Sequence, residues 1–92
     1  MFFDIAGCFV KNRKTHLLNN CFVGNEVKLV PEPNNKYDSN AIRIRCNGKL
    51  IGYIKADETD VVHNILDNDY YAYITVIDDF DNYVSAEIAV EY

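Results

Sequence analysis

Hydrophobic and polar side chains alternate with a period of two over Glu26–Val30 and Ala41–Cys46, and the stretch around Val61 to Leu66 switches to the helical period. Phe2 to Phe9 reads as a first strand ending in Gly7-Cys8-Phe9. Lys11-Asn12-Arg13-Lys14-Thr15-His16 is a basic, polar run expected to form a loop, while Leu17 to Phe22 fits either a short helical turn or an irregular connection. After a Gly24-Asn25 turn, Glu26 to Val30 alternates as a half-buried strand does. Ala41, Arg43 and Arg45 fall on one face of the next strand, and Ile42, Ile44 and Cys46 on the other. Asn47-Gly48 has the composition of a type I′ hairpin turn, so Lys49 to Lys55 is expected to return antiparallel. Gly52 inside that strand marks a bulge or a close approach by another group. Val61, Val62, Ile65 and Leu66 recur at helical spacing, which predicts one short helix over residues 58–67 with Asp57 as its N-cap. Tyr70 to Ile77 and Tyr83 to Val90 are the last two strands, joined by a loop over Asp78 to Asn82.

The order is thus β-β-β-β-α-β-β, a mostly β (α+β) chain of about six strands. One helix is too little to cover an open sheet, so the strands are expected to curl into a small barrel. All 92 residues make a single domain, 1–92. A chain of this size buries only about 60–65% of its unfolded surface, so the core is modest.

Charge is distributed unevenly. Residues 1–56 hold all nine Lys and Arg against four acids, a balance of +5; residues 57–92 hold ten acids and no Lys or Arg, a balance of −10. The net −5 therefore conceals a basic segment and an acidic one. Basic groups confined to one segment define a local patch for phosphates, whatever the mean isoelectric point says.

Cys8, Cys21 and Cys46 are odd in number and form no C-x-x-C pair, which argues against both a disulfide scaffold and a zinc site. His16 and His63 have no metal-ligand neighbours at zinc spacing. No serine or cysteine has a histidine close in sequence, so a catalytic centre is not expected, and neither is a cofactor. The acid run Asp78-Asp79-Phe80-Asp81 lacks the glycine and terminal glutamate of a calcium loop and reads as a solvated hairpin tip. No apolar run approaches the roughly 20 residues that span a bilayer. Met1-Phe2-Phe3-Asp4 lacks the start of a secretory leader, so a cytoplasmic protein is expected.

The most distinctive run is Glu32-Pro33-Asn34-Asn35-Lys36-Tyr37-Asp38-Ser39-Asn40-Ala41-Ile42. Pro33 biases Glu32 toward extended backbone, and the Asn, Asp and Ser side chains can bond nearby backbone groups, so a tight, self-bonded loop follows. Followed at this spacing by Asn47-Gly48 and Gly52-Tyr53-Ile54, it resembles the HIRAN domain, with weaker agreement at Ile5-Ala6-Gly7. The resemblance covers residues 24–66, nearly half of the chain. It implies a small β-barrel related to SH3- or OB-like folds, and non-catalytic binding of the 3′ end of single-stranded DNA, in repair or replication. Tyr37 would then stack on or flank the terminal base or sugar. Asp38 would accept a hydrogen bond from the terminal 3′-hydroxyl. The resemblance also implies an arginine and an aromatic after the first-strand glycine, where this chain has Cys8 and Phe9 after Gly7. Gly52-Tyr53 matches the family's next contact pair, with Tyr53 as a ring and Lys55 as the cation after it.

From the residues themselves, Tyr37, Tyr53 and Phe9 are candidate stacking rings, and Lys36, Arg43, Arg45, Lys49 and Lys55 are candidate phosphate contacts. The alternative is a protein-interaction module. Tyr70, Tyr71, Tyr73, Phe80, Tyr83 and Tyr92 crowd the acidic part, and tyrosines are enriched at interfaces.

Overall fold

The computed structural model describes residues 1–92. The elements run in the order β1 (Phe2–Ala6), α1 (Lys11–Asn20), β2 (Lys28–Pro31), β3 (Ile42–Cys46), β4 (Lys49–Ile54), a 3-10 turn (Ala56–Glu58), α2 (Thr59–Leu66), β5 (Tyr71–Phe80) and β6 (Tyr83–Glu91). All six strands form one antiparallel sheet in the order β2-β3-β4-β1-β6-β5. The sheet is not closed by a strand. Its two edges meet through the segment before β2: Gly24 N–H donates to Ile74 O, Ile74 N–H to Asn25 O and Val27 N–H to Ala72 O, at 2.7, 3.0 and 2.9 Å. The result is a loose barrel of mostly β structure.

Apolar alternation sets which side of each strand faces inward. Ile42, Ile44 and Cys46 of β3, Ile51 and Ile54 of β4, and Val84, Ala86 and Ile88 of β6 meet Phe3, Ile5, Val62 and Ile65 in one core. The outward face of β3 carries Arg43 and Arg45, both half-buried; Ala41, expected on that face, is buried just before the strand starts. Asn47 and Gly48 take positive φ angles of 49° and 86°, the conformation a two-residue hairpin needs. Gly52 fulfils the expectation of close approach. A Cβ there would lie 2.3 Å from Ile5 Cγ2 and 2.6 Å from the carbonyl oxygen of Ala6, so β1 crosses β4 in contact with bare backbone. On its other side Gly52 pairs with Ile44 of β3, and the β3–β4 register shifts just beyond, between Ile44 and Arg45.

Four expectations are corrected. Lys11–Asn20 is a helix rather than a loop, so the chain has two helices. Only His16 and Leu17 of α1 are buried, so just one turn touches the core and no amphipathic period shows in the sequence. His16 is buried and ties α1 to the sheet: its Nε2 donates to Cys46 O at 2.7 Å. Second, the chain turns at Gly7 (φ 73°), so the first strand ends at Ala6 rather than at Phe9. Third, Asp57 sits inside the 3-10 turn and caps nothing, while Thr59 Oγ1 donates back to Ala56 O at 3.0 Å. Fourth, the supposed loop over Asp78 to Asn82 is mostly strand. Asp81 and Asn82 alone make the turn, at φ 52° and 64°, because Asp and Asn tolerate that region.

All three cysteines are buried thiols. Burial raises each, and the neighbouring Cys46 sulfur helps push Cys21 up to about 12. In the unfolded chain these thiols ionise near 9, so that state gains charge, and the fold loses stability, as pH rises from 9 toward 12. The denaturation midpoint is therefore expected to fall between pH 8 and pH 10, and a Cys21→Ala variant to show a flatter decline.

No helix is long and apolar enough to cross a membrane.

Candidate nucleic-acid interface

The loop between β2 and β3 is organised by one side chain. Asn35 Oδ1 accepts the N–H groups of Tyr37 and Asp38 at 2.9 and 3.0 Å, while its Nδ2 donates to Glu32 Oε1 at 2.9 Å. Backbone bonds from Glu32 N–H to Ala41 O (2.8 Å) and from Ala41 N–H to Asp38 O (3.1 Å) close the neck. His63 of α2 ties the far side, its Nε2 donating to Asn40 O at 2.9 Å. This is the self-bonded loop that the polar side chains predict.

Fixing the backbone in this way exposes a ring beside a carboxylate. Tyr37 is 87% exposed, and Lys36 Nζ lies 5.1 Å from its ring centroid. Asp38 is half-buried; its Oδ1 accepts Asn40 N–H at 2.8 Å, and Oδ2 accepts no bond from the protein. One carboxylate oxygen is thus held and the other is free.

Glu32 connects the loop to the outer face of the sheet. Its Oε2 lies 3.4 Å from Arg43 Nη1. Arg43 is the cross-strand neighbour of Tyr53. The Tyr53 hydroxyl is raised by burial and then by the Glu32 carboxylate beside it. Arg43 Nε is buried and has no partner, an unspent donor on this face. Replacing Glu32 by alanine would leave Arg43 Nη1 and Asn35 Nδ2 short of an acceptor. A loss of about 2 kcal/mol in urea-denaturation stability is expected.

A residue that the sequence reading missed completes the cluster. The Arg13 guanidinium stands 5.3 Å from the Tyr53 ring centroid, and its Nη1 donates to Gly7 O at 3.2 Å. The chain lacks an arginine directly after Gly7, yet α1 brings a guanidinium to that glycine from six residues on. The signal was present in the run of Lys, Arg and Leu without Gly or Pro over residues 11–18, which favours helix. With α1 in place, the basic groups gather. Lys28, Arg43 and Lys55 are the cations held in ion pairs. Of the α1 cations Lys11 is exposed, Lys14 is half-buried with its Nζ donating to Asn82 O at 3.5 Å, and Arg13 lines one depression beside the helix together with Lys49.

Other nominated residues lie elsewhere. Arg45 folds back onto the carbonyl of Gly48 in its own hairpin. Lys55 pairs with Asp4 at 3.4 Å. Phe9, 62% exposed, shares with Lys55 a groove of about 530 Å³ that also holds Asp4, Asp78, Tyr83 and Glu87. That acidic lining does not suit phosphate. No group of three or more His, Cys, Asp and Glu is arranged to hold a metal ion.

The chain matches the HIRAN domain family over residues 2–92. It belongs to that family. Among solved structures this HIRAN domain is similar to a protein from Lactobacillus plantarum, with TM-score 0.74 and 24% identity over 99% of this chain and 92% of that one. It is also similar to the HIRAN domain of human HLTF, with TM-score 0.67 and 18% identity over 98% of this chain and 73% of the other. At these identities the likeness is one of fold. No curated protein matches the chain. HIRAN is a family of nucleic-acid-binding rather than catalytic domains, so a DNA-binding role holds at the level of the family.

Proposed function

We propose that this HIRAN domain binds single-stranded DNA and recognises its 3′ end. The observation that carries the proposal is Asp38, with one oxygen tied to the loop and the other free beside the exposed Tyr37 ring. A carboxylate accepts from a terminal hydroxyl, and it repels the phosphate that would follow an internal nucleotide or cap a blocked end. Tyr37 and Tyr53 offer rings on which unpaired bases stack, each already accompanied by a cation, Lys36 and Arg13 respectively. The α1 cations would carry the phosphates away from the end. Glu32 neutralises Arg43 in the free protein, so Arg43 joins only if a phosphate displaces that pairing. The DNA-facing role is binding without chemistry, and its cellular setting would be repair or replication.

Fluorescence-anisotropy titration with a short single strand and the matching duplex tests this. The single strand should bind more tightly. If Lys36, Arg13 and one α1 lysine each neutralise a phosphate, log affinity against log salt should slope at about −2. Tyr37→Ala should weaken binding by about 1–3 kcal/mol, the usual worth of one base stacked on an aromatic ring. Equal binding of duplex and single strand would count against the proposal.

A further inference from the structure

The two sheet edges are finished differently. On β2 the outward N–H and C=O of Leu29 are both occupied by the Tyr70 hydroxyl, at 3.2 and 3.4 Å. On β5 the first half of the edge is covered by the Gly24–Val27 segment, and no backbone bond outside the ladder reaches beyond Ile74. Past the bulge at Thr75, the strand from Val76 to Phe80 pairs only with β6. In a two-residue hairpin the pair beside the turn exchanges both backbone bonds, and bonded pairs then alternate. Phe80, Asp78 and Val76 therefore bond inward, and Ile77 and Asp79 turn their N–H and C=O groups to the open side. Side chains along this edge are acidic and aromatic; the cations nearby are Lys14, whose Nζ donates to Asn82 O at 3.5 Å in the turn, and Lys55, which pairs with Asp4 in the groove beside Val76 and Asp78. Asp78, Asp79 and Asp81 are exposed, as are Tyr83 and Phe80, the latter 80% exposed. No lysine or arginine lies anywhere in residues 57–92.

We propose that the Val76–Phe80 edge takes an extended, basic segment of a partner protein as an added strand. Backbone groups of Ile77 and Asp79 would supply the ladder bonds. Lysine or arginine at alternate partner positions would pair with Asp78 and lie over the Phe80 ring. The same acids exclude the other occupants. A second copy of this chain would bring Asp78 and Asp79 against their own kind, since unpaired edges guarded by like charge resist self-pairing. Nucleic acid would meet the exposed carboxylates of Asp78, Asp79 and Asp81 along the strand itself. The site is separate from the Tyr37–Asp38 loop and does not depend on DNA binding.

The test is a titration of the 15N-labelled protein with a synthetic peptide of alternating lysine and threonine, followed by amide hydrogen exchange. Protection of the Ile77 and Asp79 amides is expected. Asp79→Pro removes an N–H that bonds nothing inside the domain and is tolerated on an edge, so the fold should persist. That variant should bind the peptide at least about tenfold more weakly. Asp78→Lys, which leaves the backbone intact, should weaken it comparably and improve binding of the glutamate–threonine counterpart. The proposal is overturned by any of four results: no binding at about 1 mM peptide; binding without protection of those two amides; unchanged affinity of both variants; or sedimentation showing that copies of the chain pair along β5.

Discussion

Gly52→Ala is expected to lower the thermal unfolding midpoint by about 10–20 °C, the largest stability effect of any glycine-to-alanine change in this chain. The reason is geometric. A Cβ at Gly52 would fall inside van der Waals contact of Ile5 Cγ2 and, more seriously, of the Ala6 carbonyl oxygen. A side-chain methyl can rotate away, but the carbonyl belongs to the β1–β4 ladder, where Ala6 pairs with Tyr53. Relief would have to lift β1 off β4 at the centre of the sheet, a packing loss of roughly 2–3 kcal/mol. Gly48→Ala is the control. Gly48 has a positive φ of 86° but nothing within 4 Å of the added carbon, so only backbone strain of about 1–2 kcal/mol should appear. Thermal melts of the two variants separate a collision from a conformational cost. Equal midpoints would mean that β1 does not lie against bare backbone at Gly52.

The second large effect is on binding. Asp38→Asn is expected to abolish any preference for a free 3′-hydroxyl over a 3′-phosphate, while leaving affinity for internal stretches of single strand nearly unchanged. An asparagine keeps the loop bond, because its side-chain oxygen can still accept the Asn40 N–H. What it loses is charge at the free position. A hydrogen bond to a charged group is worth about 1.5–3 kcal/mol, so the hydroxyl end should lose about tenfold or more in affinity. The phosphate end, relieved of repulsion, should gain. If Asp38→Asn weakened all oligonucleotides equally, the carboxylate would be supporting the loop rather than reading the end. The Glu32→Ala variant helps to separate the two cases, since it disturbs the loop through Asn35 without touching Asp38.

Much of this fold was legible because strand signals are short-range. Ile42-Arg43-Ile44-Arg45-Cys46 alternates cleanly, and Asn47-Gly48 is a turn by composition, so the β3–β4 hairpin could be written down from the sequence. The loop was legible too, since Asn and Asp side chains bond nearby backbone by habit, and Asn35 and Asp38 do so here. What stayed hidden depended on distant partners. The α1 helix is polar on nearly every face and is held by one buried turn and by His16 reaching Cys46, thirty residues away. Missing α1 meant missing Arg13, and with it the cation over Tyr53. Phe9 and Lys55 looked like members of the basic patch because they adjoin family motifs in sequence. The fold turns them toward Asp4, Asp78 and Glu87 instead. Arg45 lies on the same strand face as Arg43, but the bulge between Ile44 and Arg45 and the contact with Gly48 draw it toward the hairpin.

Asp38 as a sensor of the free 3′ end is the central claim. Its most direct test is an anisotropy titration of the unmodified protein, at low salt, with one single-stranded sequence carrying either a 3′-hydroxyl or a 3′-phosphate. The account predicts tighter binding of the hydroxyl form, by about tenfold. Equal affinity for the two ends, or preference for the phosphate, would contradict it.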